Sequence, residues 1–161
     1  MLMYCYEKWN ANREKLEAKF RGGFDFDRTT YQELLALTVE CIFNDGDSEY
    51  NWDTDGITEI DNGDYQGTLL YLIPQVTYPP SEYEYLMTYI GYGSCSCCDL
   101  LRSIQPCGTP EDEDLNKVVT DFMSLCKSFV TNMVKPYNCG WRNNSRFEHI
   151  KMEVNTDDRY S

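Results

Sequence analysis

Lysine, arginine and histidine are all missing from the 73 residues between Arg28 and Arg102. That segment carries thirteen acidic side chains, whereas the other 88 residues carry fourteen acidic and fourteen basic ones. The formal net charge of −13 therefore arises within one contiguous stretch of the chain. A surface of this sign repels nucleic acid and anionic membranes and attracts basic surfaces over about 10 Å. We therefore expect a partner protein with a basic surface, and no direct binding to nucleic acid or membrane.

The chain also lacks the marks of export, of membrane insertion and of catalysis. Its N-terminal residues show no basic leader followed by an apolar run, and no apolar stretch approaches the roughly 20 residues that span a bilayer. A glycine-rich phosphate loop is missing, and the single histidine, His149, has no evident catalytic partner. We expect a cytoplasmic protein that is not an enzyme, has no catalytic residues and needs no cofactor. In that compartment its eight cysteines would be mostly reduced.

Two helices are predicted in the first part of the chain. Residues 4–21 are rich in charge, carry large apolar side chains near one face and end at a pair of glycines. Thr30 and Glu33 then form a capping-box sequence, in which the threonine hydroxyl and the glutamate carboxylate satisfy free backbone amides reciprocally. The apolar residues that follow, up to position 43, give the second helix a broad buried face.

A third long helix is predicted over residues 109–135. Thr109 is a candidate N-cap, Pro110 suits the first helical position, and four carboxylates follow at the positive end of the helix dipole. Pro136 would end this helix because proline cannot continue it. Residues 99–104 also have helical character.

Strand signals lie between these helices. Residues 67–76 and 83–92 are rich in β-forming side chains and are separated by a turn at 78–81, so they are expected to pair antiparallel. A short strand is predicted at 57–60. Pro74 cannot donate to a ladder, so it should lie at an edge or at a strand end.

The length and composition favour a single folded domain. The chain has 161 residues, of which 42% are hydrophobic and 14% aromatic, which is enough apolar material for a core. A further short strand is possible at 147–154. The sequence thus predicts an α+β domain over residues 1–161, with an antiparallel β-sheet and about three α-helices packed on one face.

The candidate binding surface consists of acidic side chains between positions 40 and 64, with two aromatic residues as apolar anchors. Such an array could imitate the phosphates of a nucleic acid and occupy a basic groove. The residues are Glu40, Asp45, Asp47, Glu49, Tyr50, Trp52, Asp53, Asp55, Glu59, Asp61 and Asp64. Residues 51–62 also partly resemble a calcium-binding EF loop, but asparagine stands at both the first and the twelfth positions.

A cysteine-rich segment is the sharpest local motif. Cys95 and Cys98 have C-x-x-C spacing where the predicted strand meets the predicted helix, a position at which backbone amides stabilise a thiolate. Thioredoxin-like oxidoreductases place their thiols in this way, although this chain lacks their βαβ order. A zinc site is another interpretation, because zinc takes four thiolates. Its ligands would be Cys95, Cys97, Cys98 and Cys107, with Cys139 or His149 able to replace one. The third interpretation is small packed residues at a tight turn.

Two runs in this part of the chain carry a resemblance to a known group of proteins. They are Gly67-Thr-Leu-Leu-Tyr-Leu-Ile-Pro and Gly91-Tyr-Gly-Ser-Cys-Ser-Cys-Cys-Asp-Leu-Leu-Arg-Ser-Ile. Together with the residues around Pro80, they resemble small acidic bacteriophage proteins with a Y-G-S-C-S-G-C-D segment, over residues 67–104. In that pattern glycine usually stands where this chain has Cys97. The resemblance implies a phage early or accessory protein and names no activity.

Charge and resemblance together give the leading functional hypothesis. It is an acidic binding protein that imitates nucleic acid and inhibits a nuclease or another nucleic-acid-binding protein of the host, as an anti-restriction or anti-CRISPR protein would. One alternative is a zinc- or thiol-dependent accessory protein that uses the cysteine segment. Another is a phage structural or assembly protein.

Overall fold

The computed structural model describes residues 2–47, 50–81, 83–95 and 97–135. Within these ranges the predicted α+β class is confirmed, with a three-stranded antiparallel sheet and four helices. The elements are α1 (Leu2–Arg21), α2 (Tyr31–Ile42), β1 (Thr58–Asp61), β2 (Gly67–Pro74), β3 (Tyr85–Tyr92), α3 (Leu100–Ile104) and α4 (Asp112–Thr131). None of the described helices has the length and apolar character needed to cross a membrane. The strand predicted at 147–154 lies outside the described residues.

The sheet has the strand order β1-β2-β3, so β1 is an outer strand. Glu59 of β1 lies opposite Tyr71 of β2, and Tyr71 lies opposite Thr88 of β3. The predicted antiparallel pairing of β2 and β3 is therefore confirmed. Pro74 is the last residue of β2, as its missing N–H group required.

The core lies between the helices and one face of the sheet. Tyr71, Ile73 and Leu86 point toward the helices and are fully buried. Because side chains alternate along a strand, Leu70 and Met87 point to the other face, where they pack in a small separate cluster. The helices thus cover one face of the sheet, in agreement with the predicted arrangement.

The start of α2 follows its capping sequence. The backbone N–H of Glu33 donates to Thr30 Oγ1 at 3.2 Å, and the N–H of Thr30 donates to Glu33 Oε2 at 3.0 Å. Two amides without helical partners are satisfied in this way. The first turn of α2 is therefore fixed in place, and it forms part of the cleft described below.

Both predicted ends of α4 are wrong. The N-cap is Glu111 rather than Thr109, and its side chain makes no capping hydrogen bond. The helix ends at Thr131, four residues before the proposed stop. Val134 has left the helix because its backbone exchanges two hydrogen bonds with Met87 of β3, at 3.0 and 2.8 Å. Pairing with the sheet overrides helix propensity at this end.

Candidate functional site

Five acidic side chains lie on β1, an outer strand of the sheet, and on the loops on both sides of it. Four of them are exposed and the first is half-buried. The ion pairs found within the described ranges all lie elsewhere: Lys8–Asp45, Arg21–Glu17 and Lys117–Asp121. Their negative charge therefore faces solvent without a paired cation from the described residues. We call this set the acidic edge: Asp53, Asp55, Glu59, Asp61 and Asp64.

Hydrogen bonds from the other two strands hold two of these carboxylates in position. The hydroxyl of Tyr71 donates to Glu59 Oε2 and that of Tyr92 donates to Asp61 Oδ1, each at 2.7 Å. The bond to Asp61 raises the pKa of Tyr92 to about 12, because the phenol is held in its neutral, donating form. Glu59 and Asp61 are two residues apart on β1 and so lie on the same face.

The loop before β1 is fixed to the end of β2. The N–H of Asp53 donates to the carbonyl of Pro74 at 2.8 Å. Asp53 Oδ1 accepts from the N–H groups of Asp55 and Gly56, each at 3.1 Å, and so closes a tight turn. This turn leads directly into β1 and not into a helix, so the resemblance of residues 51–62 to an EF loop has no matching structure.

A cleft of about 530 Å³ opens beside the acidic edge. Its walls come from the start of α2, the ends of β1 and β3, the turn before β2, and α3. Asp61 and Asp64 line it together with Tyr65, Tyr92 and Arg102. The volume falls within the roughly 300–1,000 Å³ of ordinary ligand sites.

The buried carboxylate of Asp99 ties three walls of this cleft together. Asp99 Oδ1 accepts from the Tyr31 hydroxyl and from the N–H of Arg102, both at 3.0 Å, and Oδ2 accepts from the N–H of Gly93 at 3.2 Å. The Tyr31 oxygen in turn accepts from the N–H of Leu101 at 3.0 Å. Burial raises the pKa of Tyr31 above its ordinary range. α2, α3 and the end of β3 are therefore locked together.

One wall of the cleft holds an unsatisfied hydroxyl. Thr29 lines the cleft, and its Oγ1 is buried without a hydrogen-bond partner among the described residues. An unpaired buried hydroxyl is unfavourable by about 1–3 kcal/mol. Because this oxygen has almost no accessible surface, the unsatisfied hydroxyl is a local feature of the wall and not a contact offered to a ligand in the cleft.

The cysteine loop between β3 and α3 borders the cleft. The Sγ atoms of Cys95 and Cys98 are 2.7 Å apart and unbonded, and both residues are exposed. The pKa of Cys98 is lowered, because its sulfur is hydrogen-bonded by the Cys95 thiol and by the Cys95 N–H at 3.0 Å. Cys97 and Cys107 are exposed.

The predicted zinc ligands are not assembled as a set. Within the described ranges, no group of three or more cysteine, histidine, aspartate or glutamate side chains could hold a metal ion. The structure brings together Cys95 and Cys98 and leaves Cys97 and Cys107 out of the pair. The substitute ligands Cys139 and His149 lie outside the described residues.

Asp45 does not belong to the exposed array in which it was predicted. Lys8 Nζ lies 2.6 Å from Asp45 Oδ2, Asn12 also donates to that oxygen, and the side chain keeps only 7% of its accessible surface. Burial alone would raise the pKa of Asp45, but the hydrogen bonds from Lys8 and Asn12 outweigh it and lower the pKa to about 2. The negative charge of this carboxylate is therefore balanced by Lys8 within the fold.

Neither predicted aromatic anchor is freely presented. Trp52 is only 2% exposed and belongs to the core, with its backbone bonded to the Asn44 side chain. Tyr50 is 46% exposed, but Lys135 Nζ lies 5.8 Å from its ring centroid and 5.0 Å from that of Trp52. The assignment of Trp52 as a surface anchor is therefore wrong.

The remaining predicted residues are placed apart along the chain. Glu40 is exposed on α2, and Asp47 is exposed in the loop after it. Glu49 lies outside the described residues. The predicted array thus reduces to the acidic edge, with Glu40 and Asp47 as separate exposed charges.

Several cleft residues were not predicted from the sequence. Asp99 stands directly before a short helical stretch, which is the N-cap pattern that could have identified it. Tyr65, Tyr92 and Arg102 carry no local signal, since only the folding of β3 and α3 onto the start of α2 brings them together.

Comparisons with known proteins give no match. No protein-family model, no curated protein and no solved structure matches this chain. The resemblance of residues 67–104 to bacteriophage proteins stays a prediction. The function is therefore inferred from the acidic edge and the cleft.

Proposed function

We propose that this protein is a non-enzymatic binding protein whose acidic edge and adjoining cleft bind a positively charged segment of a partner protein. One observation carries the proposal. Five carboxylates lie along the outer strand and its flanking loops with no ion pair from the described residues, and two of them continue into the cleft. Charges in this arrangement attract a basic surface and orient it as it approaches.

Beside Asp61, Asp64 and Tyr65, the cleft is suited to a lysine or arginine side chain of the partner, while the guanidinium of Arg102, the cation among its lining residues, donates to the Ser94 carbonyl at 3.3 Å. Asp61 and Asp64 supply negative charge at its wall, and the ring of Tyr65, which is 81% exposed, offers a face for a cation. An arginine could use all of these features, because its guanidinium group is planar and carries five N–H donors.

The partner class we propose is a nucleic-acid-binding protein. Such proteins present lysine and arginine side chains that bind phosphates, and a row of carboxylates can form ion pairs with the same side chains. Binding would then inhibit the partner by excluding its nucleic acid. A restriction or CRISPR nuclease of a bacterial host would be a target consistent with the phage resemblance.

The same carboxylates have a second role, protection of the strand edge, which the test must distinguish from partner binding. Charged side chains on an outer strand discourage the addition of another strand and so limit aggregation. If this were their only role, their removal would change the association state of the protein and leave its affinity for basic partners intact.

Two charge variants test the proposal. The edge variant carries Asp55→Asn, Glu59→Gln, Asp61→Asn and Asp64→Asn. The control variant carries Glu7→Gln, Glu14→Gln, Asp25→Asn and Asp27→Asn, which removes the same number of exposed negative charges elsewhere. Both retain side-chain oxygens that can accept hydrogen bonds. Binding is measured to an arginine-rich peptide and to a DNA-cleaving nuclease, with duplex DNA as competitor.

The edge variant should bind at least about tenfold more weakly than wild type, and the control variant should change by less than about threefold, since steering depends on local charge. Wild-type affinity should fall steeply between about 50 and 200 mM salt. Equal weakening of both variants, or affinity that does not depend on salt, would contradict the proposal. Size-exclusion chromatography of the edge variant detects the protective role.

A further inference from the structure

Cys95 and Cys98 form a pair that no part of the proposed binding function requires. Their sulfur atoms are 2.7 Å apart, and the S–S bond length of a disulfide is about 2.05 Å. Both side chains are exposed. We propose that they are a redox-active dithiol, which exchanges with disulfides of small thiols or proteins and closes to an intramolecular disulfide.

The backbone of the loop holds the two sulfurs together. The N–H groups of Cys98 and Asp99 both donate to the carbonyl of Cys95, at 3.1 and 2.9 Å, which folds the segment into a tight turn. The N–H of Cys95 donates to Cys98 Sγ at 3.0 Å. The pair is therefore arranged before any oxidation takes place, and closing the bond requires little movement.

The position next to β3 is shaped for this turn. A Cβ atom on Gly93 would lie 2.7 Å from Cys98 Sγ and closer still to the carbonyl of Cys98. Only glycine therefore allows the turn to fold back this tightly. The N–H of Gly93 also donates to buried Asp99, so both ends of the loop are fixed to the same carboxylate-centred network.

The geometry identifies Cys98 as the attacking residue. Its sulfur accepts a hydrogen bond from the Cys95 amide at 3.0 Å, which is shorter than the 3.4 Å at which its thiol donates to the Cys95 carbonyl, and the accepted bond favours the thiolate, which is the nucleophilic form. The Cys95 sulfur lies close enough to the Cys98 sulfur to attack it in the second step. Cys97 is exposed in the same loop, but it lacks such a sulfur partner among the described residues, which makes it a matched control.

The reaction balances as a two-electron exchange. The Cys98 thiolate attacks one sulfur of a co-reactant disulfide, the S–S bond of the co-reactant breaks, and one thiolate leaves. Cys95 loses its proton to solvent, and its thiolate attacks the Cys98 sulfur of the mixed disulfide. A Cys95–Cys98 bond forms and the second thiolate leaves. The protein dithiol is oxidised, and the co-reactant disulfide is reduced to two thiols.

Oxidised glutathione serves as the probe. The full-length reduced protein is incubated with it, free thiols are then alkylated, and peptides are mapped by mass spectrometry. Wild type and Cys97→Ser should both form the Cys95–Cys98 disulfide. Cys95→Ser should instead trap glutathione on Cys98, roughly tenfold faster than Cys98→Ser traps it on Cys95, because the rate follows the thiolate fraction.

The wild-type map decides the matter without depending on any variant. If glutathione modifies Cys97 and Cys107 while no bond forms between Cys95 and Cys98, the proposal is overturned. Equal trapping rates in Cys95→Ser and Cys98→Ser would overturn the assignment of Cys98 as the attacking residue. Circular dichroism of each variant confirms that the rates compare folded proteins.

Discussion

At the scale of single residues, the Asp99 carboxylate has the most connections in the cleft. It is 5% exposed and accepts hydrogen bonds from Tyr31, Gly93 and Arg102. An ionised carboxylate accepts such bonds strongly, and removing its charge leaves buried donors with poorer partners. Its role in the described structure is to position the cleft walls.

Replacement of this carboxylate should therefore destabilise the fold. Asp99→Asn keeps one acceptor oxygen but places an NH₂ group among donors, so we expect a loss of about 2–3 kcal/mol in the free energy of unfolding. Urea denaturation measures it. Asp25→Asn, at an exposed aspartate, should change stability by less than about 0.5 kcal/mol. A similarly small effect at Asp99 would show that the network is not stabilising.

The Lys8–Asp45 pair gives a pH-dependent prediction at the same scale. The pKa of Asp45 is about 2 in the folded protein, below its ordinary value of 3.8. Stabilisation from a lowered carboxyl pKa is present above the ordinary value and is lost as the pH falls through the folded one. We expect Asp45 to contribute roughly 2 kcal/mol that disappears between about pH 4 and pH 2.

Comparison with Asp45→Asn isolates this effect. The difference in the free energy of unfolding between wild type and the variant should shrink by roughly 2 kcal/mol as the pH is lowered from about 6 to about 2. Asp47→Asn, at the exposed neighbour, should show no such convergence. If the Asp45→Asn difference stays constant with pH, the ion pair does not stabilise the folded state.

Among single residues, the sequence predicted the cysteine pair better than the aromatic anchors. The C-x-x-C spacing of Cys95 and Cys98 brings two thiols near each other in any tight turn. Trp52 stands among acidic residues and so suggests an exposed loop, but the Asn44 side chain bonds its backbone from the end of α2. Burial of this kind comes from contacts distant in sequence.

At the scale of elements, boundaries set by local chemistry were predicted better than boundaries set by tertiary contacts. The capping box at Thr30 and Glu33 is local chemistry, and it forms as predicted. β2 ends at Pro74, as its missing N–H group indicates. The end of α4 depends on the pairing of Val134 with β3, which no helical pattern can reveal.

The caps of α2 and α4 give a matched pair of substitutions. Thr30→Ala removes the hydroxyl that accepts from Glu33, and should reduce the free energy of unfolding by about 1 kcal/mol. Glu111→Ala removes an N-cap side chain without a capping hydrogen bond, so its effect should be at most about half as large. Thermal or urea unfolding compares them. A larger loss at Glu111 would contradict the assigned caps.

At the scale of the whole molecule, the segregation of charge in the sequence is only partly preserved in space. Lys8 of α1 neutralises Asp45, and Lys135 lies over the rings of Tyr50 and Trp52. Both cations come from outside the segment that lacks basic residues, and only the tertiary structure brings them in. Among the described residues of the predicted array, unpaired charge remains on the acidic edge and, separately, on Glu40 and Asp47.

A map of where a basic ligand binds tests the acidic edge most directly. Amide-resolved NMR spectra of the full chain are recorded during titration with an arginine-rich peptide. We predict that shift changes concentrate at residues 53–66 and at the cleft positions 92–94 and 101–105, and that they weaken as salt is raised. Changes centred on the exposed carboxylates at 111–114, or spread evenly over all acidic residues, would contradict a binding site at the acidic edge.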